Sequence, residues 1–101
     1  MDLHPKFIIE GDSLILSKVS YHRNLVTDKE KVRGGGWFIY NDTHKVFVFH
    51  GKSMEFGKAH MRDIKRCIES GNVYTNKLKT HNISKNFKFQ YATGSEYIDL
   101  N

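Results

Sequence analysis

Residues 34–60 read GGGWFIYNDTHKVFVFHGKSMEFGKAH, and this stretch decides the fold. A run of β-formers follows the three glycines, and a polar turn at 41–44 separates it from the alternating segment 45–50, so a hairpin is predicted. Both faces of the segment 45–50 are apolar, which is typical of a central strand. The glycine-containing loop 51–57 then leads into a helical pattern. The stretch therefore predicts two paired strands followed by a helix.

The flanking segments predict an α+β domain. Apolar residues recur at steps of three and four over 58–70, which predicts the main helix, with Gly71 as its cap. Strands are also predicted at 7–10, 14–21, 87–91 and 97–100, the first two as a hairpin. We expect a single domain over residues 1–101, with a mostly antiparallel or mixed sheet of about five to six strands and one main helix packed on it.

Composition limits the classes of protein to consider. The chain has 101 residues, and no window approaches the roughly 18 apolar residues of a membrane span, so no membrane partner is expected. Cys67 is the sole cysteine and falls on the apolar helix face, which predicts an inert core thiol, a reducing compartment and a cytoplasmic protein. The net charge of +5 favours anionic partners, although scattered lysines also suit a merely solvated surface.

The loop 51–57 has the features of an anion site. If it opens the helix, its amides lack intrahelical partners and lie at the positive end of the helix dipole. Ser53 adds a hydroxyl donor to such a site. The alternative is that Ser53 only caps the helix, as serine before a helix usually does.

The triple glycine needs a structural reason. Each glycine in a strand costs about 1 kcal/mol of chain entropy relative to alanine. Gly34, Gly35 and Gly36 therefore indicate either a bulged strand start packed under Trp37 or the wall of a ligand site, and the sequence leaves both open.

Residues 34–60 resemble the Janus/Ocnus family of small phosphohistidine phosphatases. The matching positions carry the triple glycine, the turn and the loop motif, and they are Gly34, Gly35, Gly36, Asp42, Lys45, Gly51, Ser53, Met54, Phe56, Gly57 and Ala59. Upstream, Tyr21-His22 resembles the family's Tyr-His pair, and Lys6 resembles its phosphate-binding lysine. The likeness spans about residues 6–70.

The resemblance implies a Janus-like fold and a metal-independent phosphatase that needs no organic cofactor. His22 would be the catalytic base or nucleophile, and the partner would be a phosphorylated protein or another anionic ligand. Phosphate oxygens would be held by Lys6, Ser53, Met54 and Glu55. The supporting residues would be Gly34, Gly35, Gly36, Gly57 and His60, the last expected on the buried face of the helix.

The chain departs from the family at two arginine positions, now Trp37 and Leu14. Losing bidentate guanidinium contacts weakens phosphate binding. One alternative is therefore a non-catalytic protein-interaction module on the same scaffold, with a protein partner. A second alternative, a small basic nucleic-acid binder, is suggested by lysine interleaved with aromatics at 86–91 and ranks below the others. The histidine and cysteine spacings predict no metal site.

Overall fold

A computed structural model describes residues 2–101 of the chain. This part forms seven strands and one α-helix, which are β1 His4–Glu10, β2 Ser13–Val19, β3 Val32–Asn41, β4 Val46–His50, α1 Met61–Glu69, β5 Val73–Tyr74, β6 Lys88–Ala92 and β7 Tyr97–Asp99. Two 3₁₀-helical turns, His22–Leu25 and Lys29–Lys31, lie between β2 and β3. The predicted α+β class is confirmed. No helix within the described range is long and apolar enough to cross a bilayer.

The strands form a sheet in the order β5-β2-β1-β3-β4-β6-β7. Over the described residues, neighbouring strands run antiparallel except for the parallel pairs β2–β5 and β4–β6. The predicted count of five to six strands is wrong, because Val73–Tyr74 is too short for side-chain alternation to reveal it. This strand reaches the sheet edge beside β2 because α1 carries the chain away from β4.

The helix α1 packs on one face of the sheet. Ile64, Cys67 and Ile68 are buried in the main core, at the spacing that the sequence predicts. Burial raises the pKa of the Cys67 thiol to about 11, so it stays protonated, as expected of an inert core cysteine. Gly71 follows the helix with a φ of 76°, in agreement with its predicted role as the cap.

The helix begins at Met61 and not at residue 58 as predicted. The preceding segment is extended, since Lys58 bridges to Gly35 of β3 and the Ala59 amide donates to the Gly35 carbonyl oxygen at 3.4 Å. Backbone groups that pair with a strand cannot also form the hydrogen bonds of a helical turn. The loop 51–57 therefore does not form the first turn of the helix, and the expected dipole effect does not act on it.

The triple glycine lies inside β3, where two other chain segments approach closely. A Cβ on Gly34, whose φ is 135°, would lie 2.8 Å from backbone atoms of Ala59. A Cβ on Gly35 would lie 2.5 Å from the Phe7 carbonyl oxygen. Backbone atoms cannot yield to such contacts, so glycine is required here for close approach.

The other face of β1 is covered by the chain between β2 and β3. Leu25, from the first 3₁₀ turn, packs with Ile8 and Ile15 in a second, smaller core. Because side chains alternate along a strand, Lys6 and Glu10 share this face with Ile8. The small core thus fixes the 3₁₀ turn above the two charged side chains of β1.

Glu10 fixes the same covering segment by hydrogen bonds. Its carboxylate is 3% exposed and accepts from the Thr27 amide at 2.7 Å, the Thr27 hydroxyl at 2.6 Å and the Asp28 amide at 3.0 Å. Burial alone would raise the pKa of Glu10, but these bonds and Lys79 at 3.9 Å outweigh it and hold the pKa below its usual 4.5. The charged form therefore stabilises the fold.

Glu10→Gln is expected to lower the free energy of unfolding by about 1–3 kcal/mol at neutral pH, because a neutral amide leaves buried donors poorly paired. The wild-type protein should lose this advantage as the pH falls below 4.5, through the lowered pKa of Glu10. Urea titrations on both sides of that pH measure the difference. The exposed Glu96 offers the matched control Glu96→Gln, and equal losses in the two variants would contradict the assignment.

Candidate functional site

A cleft of about 490 Å³ opens beside the first 3₁₀ turn. We call it the first cleft, and its lining residues are Lys6, Tyr21, His22, Arg23, Trp37, Lys52, Met54 and Glu55. Three of these side chains are cations and one is a carboxylate, so the cleft carries an excess of positive charge. Four of the predicted site residues meet here, namely Lys6, His22, Met54 and Glu55.

Lys6 is a nearly buried cation that lines the first cleft. It is 8% exposed, and its Nζ donates to the Ser20 carbonyl oxygen at 2.7 Å. Nζ also lies 5.0 Å from the centroid of the Trp37 ring, which faces Lys6 across the β1–β3 pair. No carboxylate among residues 2–101 lies within 4.0 Å of it. Its charge is therefore available to an anion in the cleft.

His22 lies over β3 because Gly35 lacks a side chain. A Cβ on Gly35 would come within 3.2 Å of the imidazole Cδ2. The ring is 6% exposed, and its Nε2 lies 2.7 Å from the Gly36 carbonyl oxygen. The neighbouring Leu25 fixes the turn from below. Two glycines of the triplet thus act on the histidine, one by leaving room and one by accepting a hydrogen bond.

This hydrogen bond determines which nitrogen of His22 is reactive. A carbonyl oxygen only accepts, so Nε2 carries the proton and Nδ1 the lone pair. Burial lowers the pKa of His22 below its usual 6.5, and the charge of Lys6 acts in the same direction. The bond to Gly36 and the carboxylate of Glu55 oppose this shift without cancelling it. His22 is therefore a neutral imidazole at neutral pH, with a free lone pair on Nδ1.

The loop 51–57 closes on itself. The Ser53 hydroxyl accepts from the amides of Glu55 at 3.2 Å and Phe56 at 3.0 Å, and the backbone of Ser53 pairs with Gly57 in both directions. Two of the three amides expected to hold phosphate, those of Ser53 and Glu55, are thus engaged within the loop. Ser53 is 1% exposed, while Met54 and Glu55 face the cleft. The side of the loop turned to the cleft is therefore Met54–Glu55.

His60 lies apart from the first cleft. It is exposed and immediately precedes α1, so its expected burial on the helix face is wrong. The reason is the late start of the helix: the pattern of apolar steps extends back to residue 58, but the backbone there is held extended against β3. Gly57, with a φ of 80°, serves the turn of the loop.

Four of the eight cleft residues were not among the predicted site residues, namely Tyr21, Arg23, Trp37 and Lys52. Trp37 stands where the resemblance predicts an arginine, and it forms a wall of the cleft, with its ring 6.3 Å from that of His22. Arg23 stacks on the Tyr21 ring at 4.1 Å and supplies a guanidinium to the cleft. Arg23 directly follows His22 in the sequence, and this adjacency could have indicated it as a site residue. The other arginine between β2 and the triple glycine, Arg33, does not line the first cleft. It lines a different cleft, together with Glu10.

The described residues 2–101 contain no group of three or more His, Cys, Asp or Glu side chains placed to hold a metal ion.

No protein-family model and no curated protein matches this chain, and no solved structure matches its fold. The likeness of residues 6–70 to the Janus/Ocnus family therefore stays a prediction from the sequence, and the function has to be argued from the geometry of the cleft.

The titration of His22 tests this geometry. By NMR, its imidazole should titrate with a midpoint below 6.5, because burial and Lys6 disfavour its charged form. Lys6→Gln should move the midpoint upward, whereas Lys85→Gln, at an exposed position outside the cleft, should not. A wild-type midpoint at or above 6.5 would contradict the placement.

Folding stability should follow the same titration. At pH values between the folded-state midpoint and 6.5, His22 is protonated in the unfolded chain but neutral in the folded protein. The free energy of unfolding therefore falls as the pH is lowered through this range. In His22→Gln this component should vanish from urea titrations. An unchanged pH profile in that variant would assign the loss to another group.

Proposed function

We propose that the protein binds a phosphoryl group in the first cleft and acts as a metal-independent, phosphohistidine phosphatase-like enzyme. One observation carries the proposal: a nearly buried lysine without a carboxylate partner among residues 2–101 and a neutral imidazole with a free lone pair line the same cleft. The first supplies binding charge, and the second supplies a base or nucleophile.

Binding would rest on three cations around the cleft. Lys6 is already removed from water, so its attraction for an anion is weakly screened. Arg23 and Lys52 are exposed and would contribute from the rim. The amide of Met54 would donate a further hydrogen bond, since those of Ser53, Glu55 and Phe56 are engaged within the loop. The carboxylate of Glu55 opposes a phosphate dianion, so affinity depends on the three cations together.

The lone pair on Nδ1 of His22 would perform the chemistry by one of two routes. As a nucleophile, it forms a bond to phosphorus while the P–N bond of the substrate breaks, and the leaving imidazole keeps that electron pair and takes a proton. Water then attacks phosphorus, which releases phosphate and restores the lone pair. As a base, Nδ1 instead removes a proton from the water that attacks phosphorus directly. The P–N bond breaks with its electron pair on the leaving imidazole, which takes up the proton held by His22. Lys6 neutralises charge on the phosphoryl oxygens in both routes.

The natural ligand would be a phosphorylated protein. We also propose a cytoplasmic location, in keeping with the single, buried cysteine.

A non-catalytic interaction module is the second candidate, and Trp37 favours it. Its indole packs against Lys6 at the position where the family resemblance places an arginine. An indole offers one N–H donor, whereas a guanidinium grips phosphate with two parallel hydrogen bonds. On this reading the cleft binds a phosphorylated partner and does not turn it over.

A nucleic-acid binder has less support. Phe89 is fully buried and Tyr91 is 5% exposed, so these two rings of the segment 86–91 offer no free face for base stacking.

Wild-type protein is expected to release phosphate from phosphohistidine in the presence of a metal chelator. His22→Gln should lower kcat by about 100-fold or more, because proton transfer or attack by the imidazole is lost. His81→Gln, at an exposed position away from the cleft, is the matched control and should keep full activity. Absence of turnover in the wild type, together with retained binding of phosphopeptide, would favour the interaction module. Equal rates in both variants would remove His22 from the mechanism.

A further inference from the structure

A second cleft adjoins the first. Its volume is about 460 Å³, and it is lined by Gly51, Lys52, Lys58, Tyr91, Ala92 and Thr93. Lys52 lines both clefts, so the two clefts are adjacent at this residue. The second cleft contains two lysines and no carboxylate. Together the two clefts form a strip with four cations and a single acid, Glu55.

Aromatic rings hold three of these four cations. The pairs are Lys6 with Trp37 at 5.0 Å and Tyr21 at 5.8 Å, Arg23 with Tyr21 at 4.1 Å, and Lys58 with Tyr91 at 5.9 Å. These are all the cation–π contacts among residues 2–101, whereas every ion pair in the same range lies elsewhere. A ring orients a cation without cancelling its net charge. The strip therefore remains positive.

We propose that the strip binds one acidic, phosphorylated polypeptide segment. The phosphoryl group enters the first cleft, and aspartate or glutamate side chains of the same segment lie along Lys52 and Lys58. This inference rests on the proposed function, since the phosphoryl group sets the position of the segment. It goes further by assigning the second cleft to recognition of the sequence around the phosphorylated residue.

The same contacts favour a polypeptide over a nucleic acid. Single strands bind by stacking bases on free aromatic faces between cations. Here Arg23 covers a face of Tyr21, Lys6 covers a face of Trp37, and Tyr91 is nearly buried beneath Lys58. Carboxylates need only the exposed charge of the lysines, which this arrangement leaves accessible.

Two synthetic peptides test the inference on the full-length chain. Each carries one phosphohistidine, flanked by aspartate and glutamate in one peptide and by asparagine and glutamine in the other. The acidic peptide is expected to have the lower KM. Lys58→Gln should raise the KM for the acidic peptide by about threefold to fivefold and leave that for the neutral peptide unchanged, because an exposed ion pair contributes modestly. Lys85→Gln, which removes the same charge outside both clefts, should behave as the wild type.

Equal KM values for the two peptides, or an effect of Lys58→Gln no larger than that of Lys85→Gln, would overturn the inference. An unlabelled single-stranded oligonucleotide that displaces the acidic peptide at lower concentration than the peptide itself would overturn the choice of ligand.

Hydrolysis of free phosphohistidine separates the two proposals. It should be insensitive to Lys58→Gln, and its absence from the wild type would remove the catalytic function. In that case the affinities of the two labelled peptides are measured by fluorescence anisotropy. Tighter binding of the acidic peptide that depends on Lys58 would still support recognition of the acidic segment by the second cleft.

Discussion

The hydrogen bond from Nε2 of His22 to the carbonyl oxygen of Gly36, at 2.7 Å, links the first cleft to the sheet. It sets the tautomer of the imidazole and leaves the lone pair on Nδ1. A Cβ on Gly35 would lie 3.2 Å from the ring, so glycine at this position relieves a tight contact beneath the imidazole. Leu25 and Glu10 hold the rest of the covering segment, one by packing and one by hydrogen bonds.

The electrostatics of the cleft follow from how its cations are held. A buried lysine is normally compensated by a carboxylate, and Lys6 is held by a carbonyl oxygen and aromatic rings instead. This arrangement keeps a desolvated positive charge beside the imidazole of His22. The burial of the ring and the charge of Lys6 both disfavour its protonation. At the exposed Lys58, the contact is with one ring only, since its Nζ lies 5.9 Å from the centroid of Tyr91.

Local patterns predicted the parts of the structure that local interactions determine. The two hairpins follow from alternation and turn residues, and the buried face of α1 follows from the spacing of Ile64, Cys67 and Ile68. The strand β5 and the extended backbone at Lys58 escaped prediction, because both depend on pairing with residues distant in sequence. The amphipathic pattern extends back to residue 58, but the competing backbone pairing with β3 delays the start of the helix to Met61.

For the candidate site, the sequence by itself singled out the loop 51–57 by its glycines and Ser53, whereas Lys6 and His22 were named only through the resemblance to the Janus/Ocnus family. Only the tertiary structure decided that Ser53 closes the loop internally, and that Trp37 and Arg23 complete the cleft. The reason is physical. A side chain's chemical type is encoded at its own position, but its partners, its burial and hence its charge state are set by residues that the fold brings to it. The cleft exists where β1, β3, the 3₁₀ turn and the loop converge, and no single segment of the chain contains it.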